Sequence, residues 1–291
     1  IFICRYQMSI TIVTAFFDIG RGNWGAESGH PNYLQRTSSK YLEYFSNLAL
    51  LDNKMVIYTS KEYVDIVKEI RLNKPTIVVE VELFEKFKDS IEAIKSIQKN
   101  KEFKRKISES ELKNPEYWSA EYVLVTNLKT YFIRESIKNK LISDSSLVSW
   151  VDFGYCRNEN TLNNILEWDY SFKKDKINFF TINKKFRVNQ ESVEAAIVNN
   201  QVVVIGGVIV SSQEKWLEFF DIVYRCQKDL LNKGLVDDDQ GVYLMALLKC
   251  PKLFELNYLG KDKWFDVFKV YAKRPNLNFF GRMKKIVRKF L

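Results

Sequence analysis

Short apolar runs alternate along this chain with longer segments in which hydrophobic residues recur at helical spacing. Runs rich in β-branched and aromatic residues predict buried strands at 10–17, 54–59, 76–81, 147–151, 179–181 and 202–210. Helical spacing predicts helices at 33–51, 61–71, 82–113, 119–140, 216–231 and 239–248. Because strands and helices alternate, we expect an α/β fold with a mostly parallel central sheet that helices flank on both faces.

Ligands of such sheets bind beyond the carboxyl ends of the strands, so we look for candidate chemistry in the loops there. The first loop, at 14–24, reads TAFFDIGRGNW. Asp18 could accept a hydrogen bond from a base or a ribose hydroxyl, and Arg21 could pair with a phosphate. The alternative is a plain turn that Asp18 caps, and the loop has neither a GxGxxG nor a Walker A sequence.

The second loop follows the strand at 147–151 and belongs to the sequence WVDFGY. Asp152, at the end of this strand, suits a divalent cation that bridges two phosphates, and Gly154 would let a ligand approach closely. The alternative is that Asp152 caps the following turn. The DFG sequence does not indicate a protein kinase, because the chain lacks the glycine-rich loop, the VAIK lysine and the HRD loop of kinases.

The third candidate combines Gly206 and Gly207, ahead of an apolar run, with the acidic sequence DDDQG at 237–241. Two glycines there would let the backbone approach a sugar or an acceptor ring. Three carboxylates that open a helix also favour its N-terminal dipole, which is one explanation for them. They repel one another, however, and a raised pKa on one of them would suit a general base, for which Asp239 is the candidate.

The helix before the 147–151 strand carries Lys129 and Arg134. These side chains could reach phosphates, or they could form a solvated helix face. The single histidine, His30, is interpreted as a loop residue. Four aromatic residues at helical spacing are expected in the core rather than at a sugar site: Tyr41, Phe45, Tyr122 and Phe132.

Composition narrows the classes of protein that these patterns allow. The chain has 291 residues, of which 46% are hydrophobic, and no apolar run is long enough to cross a membrane. No secretory signal is expected, and the native start could be Met8. Four dispersed cysteines indicate the reduced thiols of a cytoplasmic protein, and a single histidine excludes a multi-histidine zinc site. Any bound metal should therefore be a hard cation held by carboxylates.

The net charge of +9 is concentrated at the carboxyl end of the chain. Residues 261–291 hold ten basic residues and two aspartates, so the preceding part is nearly neutral and nucleic acid is not an expected partner. Residues 276–291 predict a basic amphipathic helix, which suits an anionic membrane surface. The alternative is that this helix packs its apolar side on the single domain that we expect at residues 8–275.

Six segments occur in an order that resembles one protein family. They are TAFFDIGRGNW, NYLQRTSSKYLEYF, the stretch from Trp118 to Arg134, WVDFGY, GGVIV and DDDQGVY, and together they cover residues 10–245. On this ordered set the chain resembles the HtrL/YibB family of bacterial proteins and the related WlaTB/WlaTC-type glycosyltransferases of surface-polysaccharide loci. The organisation of the family is similar to the GT-A fold, a nucleotide-sugar-binding α/β sandwich.

The resemblance implies roles for the candidate residues. In GT-A enzymes a D-x-D motif ends a central strand and binds metal and nucleotide diphosphate. Asp152 stands at that place and implies a divalent cation, Mn or Mg, although Phe153, Gly154 and Tyr155 follow it instead of a second aspartate. The GGVIV segment resembles the strand that lines the donor sugar site in several GT-A families.

The resemblance also implies which side chains react and which bind. Asp239 and Gln240 resemble the acidic catalytic site near the acceptor. The positions implied to contact the nucleotide sugar are Phe17, Asp18, Arg21, Lys129, Asp152, Gly154, Gly206 and Gly207.

Taken with the resemblance, these features predict a glycosyltransferase of the hexosyltransferase class. It would move a sugar from a nucleotide diphosphate sugar, with a UDP-sugar as the expected donor, to a hydroxyl of a surface-polysaccharide or lipid-linked oligosaccharide, as in lipopolysaccharide or capsule synthesis. A metal at Asp152, or basic side chains such as Arg21 and Lys129, would neutralise the leaving diphosphate. The sequence does not choose between inversion and retention, in which Asp239 would be a general base or would orient the sugar.

The expected location is the cytoplasm, with peripheral association at the inner face of the plasma membrane. The alternative function is a catalytically inactive sugar-nucleotide-binding or scaffold protein at the same membrane surface. The absence of the second aspartate of D-x-D is the sequence feature that favours this alternative.

Overall fold

The computed structural model describes residues 10–143 and 147–273, and a seven-stranded sheet runs through them. The strands are β1 (Ile10–Phe16), β2 (Met55–Thr59), β3 (Thr76–Glu80), β4 (Leu147–Val151), β5 (Ile177–Thr181), β6 (Val204–Ser211) and β7 (Phe254–Tyr258). The α-helices are α1 (Ser38–Leu48), α2 (Val64–Ile70), α3 (Leu83–Lys86), α4 (Lys88–Lys99), α5 (Lys101–Lys106), α6 (Ala120–Asn127), α7 (Lys129–Lys138), α8 (Gln190–Val198), α9 (Gln213–Asn232), α10 (Asp239–Lys249) and α11 (Val267–Val270). Met8 and the amphipathic helix predicted at 276–291 lie outside the described residues. Among the helices described, none has the length and apolar character that spanning a bilayer requires.

The strands are ordered β3-β2-β1-β4-β6-β5-β7 across the sheet. Neighbouring strands are parallel except where β6 pairs with β4 and with β5, so in the described part of the chain β6 alone is reversed. The predicted α/β fold with a mostly parallel central sheet flanked by helices is therefore confirmed. Because β6 is reversed, it begins at the edge of the sheet where β1 and β4 end.

Both faces of the sheet are covered, because successive residues of its inner strands point to opposite sides and both sets are apolar. In β1, Val13 and Ala15 join the hydrophobic cluster that contains residues of α7, α8, α9 and α10. Ile10, Ile12 and Phe16 join a second cluster, which contains residues of α1, α2 and α11. A third cluster joins α4, α5 and α6 to one another.

Some helices differ from their predicted extent. The helix predicted at 33–51 shortens to α1, because the side chain of Thr37 accepts a hydrogen bond from the N–H of Lys40 and caps the helix there. The charged segment at 82–113 divides into α3, α4 and α5. The elements α8, β7 and α11 were not predicted, since each is short and its apolar residues are too few to establish a period.

The helix predicted at 119–140 is divided at Leu128 into α6 and α7. The side-chain amide of Asn127 donates to the carbonyl of Asp237 at 2.8 Å, which ties the division to the segment just before α10. Lys129 consequently becomes the first residue of α7 and is buried rather than lying on a solvated helix face.

A buried arginine joins two turns beside the first strands of the sheet. Arg71 follows α2 and is 1% exposed. Its guanidinium donates to the Oγ1 of Thr76 and to the carbonyls of Ala49, Leu51, Asn53 and Pro75. Burial lowers the pKa of Arg71 to about 10. The carbonyl of Pro75 also accepts from the N–H of Met55, but the other acceptors would lose this partner without the guanidinium. We therefore infer that Arg71 stabilises the connections on either side of β2.

We expect Arg71→Lys to lower the free energy of unfolding by roughly 2–4 kcal/mol, because an ammonium cannot replace a planar fork of donors. The control is Arg105→Lys on α5, where the exposed arginine pairs with Glu102 and the change should be within about 0.5 kcal/mol. Urea unfolding at pH 7 measures both variants. Equal effects of the two substitutions would contradict the role assigned to Arg71.

Candidate active site

A cavity of about 430 Å³ lies at the edge of the sheet where β1 and β4 end. Residues from the loops after β1 and β4, from α6, α7, β6 and the start of α10 form its wall. The ten residues to which the family resemblance assigned a site role all lie in this wall: Phe17, Asp18, Arg21, Lys129, Asp152, Gly154, Gly206, Gly207, Asp239 and Gln240. The fold brings the three predicted loops together, while the individual roles of these residues stay predictions.

Lys129 joins two carboxylates in the cavity wall. Its Nζ lies 3.0 Å from Oδ1 of Asp152 and 2.9 Å from Oδ2 of Asp239, and it donates to the carbonyl of Gly206 at 3.0 Å. All three donors of the ammonium are therefore used. Burial alone would lower the pKa of Lys129, but the two carboxylates outweigh burial and raise this pKa above its usual value. We conclude that the buried lysine stays charged.

The side chain of Asp152 is directed to the cavity wall rather than to the turn that follows β4. Its Oδ1 also accepts a hydrogen bond at 2.7 Å from Nε1 of Trp150, two residues earlier and on the same face of the strand. The backbone carbonyl of Asp152, not its carboxylate, accepts from the N–H of Tyr155 and closes the turn. The turn-capping alternative for this carboxylate therefore does not describe the structure.

The two glycines of the GGVIV segment lie inside β6, within the strand predicted at 202–210. A Cβ on Gly206 would lie only 1.7 Å from Oδ2 of Asp239. The missing side chain of Gly206 thus makes room for a protein carboxylate, and the approach of a ligand to this glycine stays a prediction. Gly154 has a similar relation to Tyr41, since its Cβ would lie 3.0 Å from the tyrosine ring.

The three consecutive aspartates have three different sets of partners. Oδ1 of Asp237 accepts from the N–H of Asp238, and the side chain of Asp238 accepts from the N–H of Gln240 and caps α10. Asp239 pairs with Lys129. Adjacent residues therefore have different roles: Asp238 caps α10, and Asp239 contributes a carboxylate to the cavity wall. Burial raises the pKa of all three carboxyls, and for Asp239 this effect exceeds the opposing effect of Lys129.

A further buried carboxyl, Glu116, belongs to the short 3-10 helix Pro115–Tyr117 and is 2% exposed. Burial, and then repulsion from Asp238, raises the pKa of Glu116 to about 8. Within the described ranges, its Oε1 has no hydrogen-bond partner. Sequence reasoning did not single out Glu116, because nothing in the pattern shows that this turn packs against the start of α10.

Two residues predicted to bind nucleotide also hold the loop after β1. Arg21 is 8% exposed, and its guanidinium donates to the carbonyl of Leu34 at 3.0 Å and to the hydroxyl of Tyr41 at 2.7 Å. Oδ1 of Asp18 accepts from the N–H of Gly20 at 2.8 Å, so the turn-capping alternative is observed for this aspartate. Both side chains nevertheless line the cavity.

The four aromatic residues predicted to lie in the core divide into two groups. Phe45 and Phe132 are fully buried in the core, as expected. Tyr41 and Tyr122 were also expected in the core, but they line the cavity. Both rings face the guanidinium of Arg21, with 5.9 Å between each ring centroid and Cζ. The helical period identifies which residues share a side of a helix, but it does not show that this side borders a cavity.

Two basic residues of the cavity wall were missed by sequence reasoning. Arg36 lies just before α1, and Arg157 lies in the loop after β4. The only indication in the sequence is that Arg36 and Arg157 each lie close to a recognised motif. Arg134, by contrast, was a candidate for reaching phosphates but does not line the cavity, and its guanidinium lies 4.5 Å from the ring centroid of Phe220.

The donors around Asp152 do not fit a divalent cation held by the protein alone. A hard cation takes about six oxygen ligands, whereas Oδ1 of Asp152 already accepts from Lys129 and Trp150. Across the described ranges, no group of three or more histidine, cysteine, aspartate or glutamate side chains could hold a metal ion. The Mn or Mg expected at Asp152 stays a prediction.

The chain is similar to known proteins over nearly its whole length. Residues 8–273 match a family model described as "Bacterial protein of unknown function (HtrL_YibB)". The chain is 44% identical to Protein HtrL of Escherichia coli (strain K12) over 286 residues, which cover 98% of this chain and 99% of that protein. Among solved structures it is similar to mouse xyloside xylosyltransferase 1 in its apo form, with a TM-score of 0.41 and 10% identity over 86% of this chain and 85% of that chain.

The buried carboxyl of Glu116 predicts a pH-dependent stability. Its raised pKa means that the folded state keeps a proton that the unfolded state loses above about pH 4.5, so stability should fall as pH rises from about 4.5 to 8. Glu116→Gln should lower by about one the number of protons that unfolding releases between these pH values. It should raise the free energy of unfolding at pH 8 by roughly 1–3 kcal/mol, with little effect at pH 4. Urea unfolding at both pH values measures this, and identical pH profiles would contradict the assignment.

The close approach of Asp239 to β6 predicts that Gly206→Ala destabilises the protein by roughly 2–3 kcal/mol, because the carboxylate or the strand must move. The matched control is Gly22→Ala, whose Cβ would meet Thr37 at an ordinary 3.7 Å and should leave stability unchanged or slightly higher. Thermal unfolding compares the two variants. If Gly206→Ala were as stable as the control, the observed packing of Asp239 against β6 would be wrong.

Proposed function

This chain belongs to the bacterial HtrL_YibB family, and we propose that it is a glycosyltransferase that uses a nucleotide diphosphate sugar. The observation that carries the proposal is the arrangement of Asp152, Lys129 and Asp239 in the wall of one cavity. This cavity lies where the strands β1 and β4 end, the usual place for ligands of α/β sheets. Its volume of about 430 Å³ is within the usual range for small-molecule sites.

The polar groups of the cavity wall suit a sugar. Carboxylates and amide oxygens accept hydrogen bonds from hydroxyl groups, and Asp152, Asp238 and Asp239 all line the cavity. Gln240 lines it too, and its Oε1 is buried without a hydrogen-bond partner in the described part of the chain. Because buried acceptors are nearly always paired, a hydroxyl donor from a bound ligand would explain this unpaired amide oxygen.

The proposed reaction moves one glycosyl group. The oxygen of an acceptor hydroxyl forms a bond to the anomeric carbon of the sugar, while the bond from that carbon to the diphosphate oxygen breaks and its electron pair leaves with the diphosphate. In an inverting reaction the hydroxyl proton passes to Asp239, whose raised pKa suits a general base near neutral pH. Lys129 would keep Asp239 oriented and would limit the negative charge of the site.

Finer assignments are part of the same proposal. We take a UDP-sugar as the donor and a hydroxyl of a surface-polysaccharide or lipid-linked oligosaccharide as the acceptor. In this proposal the enzyme works in the cytoplasm, and residues 276–291 bring it to the anionic inner face of the plasma membrane. This basic segment supports the proposal by its sequence alone.

The proposal is tested by measuring the release of UDP from a panel of UDP-sugars, with and without Mn or Mg. We expect Asp239→Asn to lower kcat by about 100-fold or more, because general acid–base catalysis contributes at least that much. The control is Asp229→Asn on α9, an exposed aspartate that pairs with Lys249 and should leave kcat unchanged. Thermal unfolding of each variant separates loss of chemistry from loss of fold.

The outcomes distinguish the proposed enzyme from its alternative. Turnover that falls in Asp239→Asn but not in Asp229→Asn supports the transferase. Saturable UDP binding without turnover of any donor favours the catalytically inactive binding or scaffold protein. No binding of nucleotide by the folded protein would contradict both functions.

A further inference from the structure

Two arginines in the cavity wall have no carboxylate partner among residues 10–143 and 147–273. Arg36 lies between the short helix Asn32–Leu34 and α1, and Arg157 lies in the loop after β4. Both are half-buried, and among described arginines only Arg105 and Arg134 form ion pairs. Burial lowers the pKa of Arg157 most, and the positive charge of Arg36 lowers it further. Two guanidiniums close enough to repel one another form a positive region of the wall.

Arg157 packs against two aromatic rings and forms a side-chain hydrogen bond with Tyr44, which leaves its Nε unused. Its Cζ lies 4.7 Å from the ring centroid of Tyr44 and 5.4 Å from that of Phe265. Its Nε is buried and has no hydrogen-bond partner among the described residues. A buried donor without an acceptor is unfavourable, so a ligand that brings an acceptor to this guanidinium would explain the arrangement.

The other cations of the wall are already engaged. Lys129 uses its three donors on Asp152, Asp239 and the carbonyl of Gly206. Arg21 donates to a backbone carbonyl and to a tyrosine hydroxyl. The carboxylates that surround Lys129 would also repel a phosphate. The positive region formed by Arg36 and Arg157 is therefore the part of the wall best suited to an anion.

We propose that Arg36 and Arg157 form the subsite for the diphosphate of the nucleotide, an inference that rests on the proposed function. A guanidinium binds phosphate oxygens through two parallel N–H groups, which suits both residues to this ligand. The sugar then extends toward Asp152 and Asp239, whose oxygens accept from its hydroxyls. The two arginines also stabilise the negative charge that develops on the departing diphosphate, and this stabilisation does not depend on a cation at Asp152.

The test measures binding of UDP, inorganic pyrophosphate and uridine by calorimetric titration without added metal. We expect Arg157→Gln and Arg36→Gln each to weaken the Kd for UDP and for pyrophosphate at least tenfold and to leave any uridine binding unchanged. The matched control is Arg134→Gln, which removes an arginine that also lies over an aromatic ring but outside the cavity wall. It should leave all three affinities within twofold of those of the unaltered protein.

Each result decides for or against the subsite. Unchanged UDP affinity in both cavity variants would overturn it and leave the proposed function standing. Pyrophosphate binding that depends on the arginines, without any preference for a nucleotide, would support the subsite and contradict the proposed function. Absence of binding to UDP and to pyrophosphate without metal would overturn the subsite, and absence of UDP binding that persists with Mn or Mg would overturn the proposed function as well. Thermal unfolding shows whether each variant is folded. If Arg157→Gln does not fold, the same binding measurements on Arg36→Gln test the subsite.

Discussion

The burial of one charged lysine between two carboxylates is the constraint around which this molecule is arranged. Lys129 and Asp239 are buried, whereas the side chain of Asp152 stays 41% exposed. Removing an ammonium and a carboxylate from water costs several kcal/mol for each ion, and the cost is recovered only with good geometry and complete hydrogen bonding. Lys129 meets this condition, because its three donors reach Asp152, Asp239 and the carbonyl of Gly206. These partners come from the end of β4, the start of α10 and the interior of β6, so the ion network joins three separate parts of the chain.

Several local features are explained by this network. The division between α6 and α7 makes Lys129 the first residue of a helix, and Asn127 holds the division to the backbone of Asp237. The reversed direction of β6 brings its first residues to the edge where β4 ends. A residue without a side chain is required at Gly206, since any Cβ there would collide with Asp239. The division between α6 and α7, the reversed direction of β6 and the missing side chain at Gly206 thus all allow the same buried contact.

Charge is distributed unevenly in the cavity that results. Asp152, Asp238, Asp239 and Lys129 provide oxygen acceptors and a compensating ammonium. Arg36 and Arg157 provide guanidiniums without carboxylate partners, and aromatic rings hold Arg157 in place. A ligand that carries hydroxyl groups at one end and an anionic group at the other matches this distribution. The physical case for a nucleotide sugar rests on that match, because neither set of groups would select such a ligand by itself.

The sequence by itself determined the alternating strands and helices, the mostly parallel sheet, the family and the three loops that carry the site, because apolar period and short motifs are local properties. It also identified Asp152 and Asp239, since an acidic residue at a strand end or helix start is visible in the chain. Only the tertiary structure decided that Lys129 is buried between them and that Arg36 lies near Arg157. Charge pairing and burial depend on residues far apart in sequence, and the same lysine on a helix would have been equally consistent with a solvated surface.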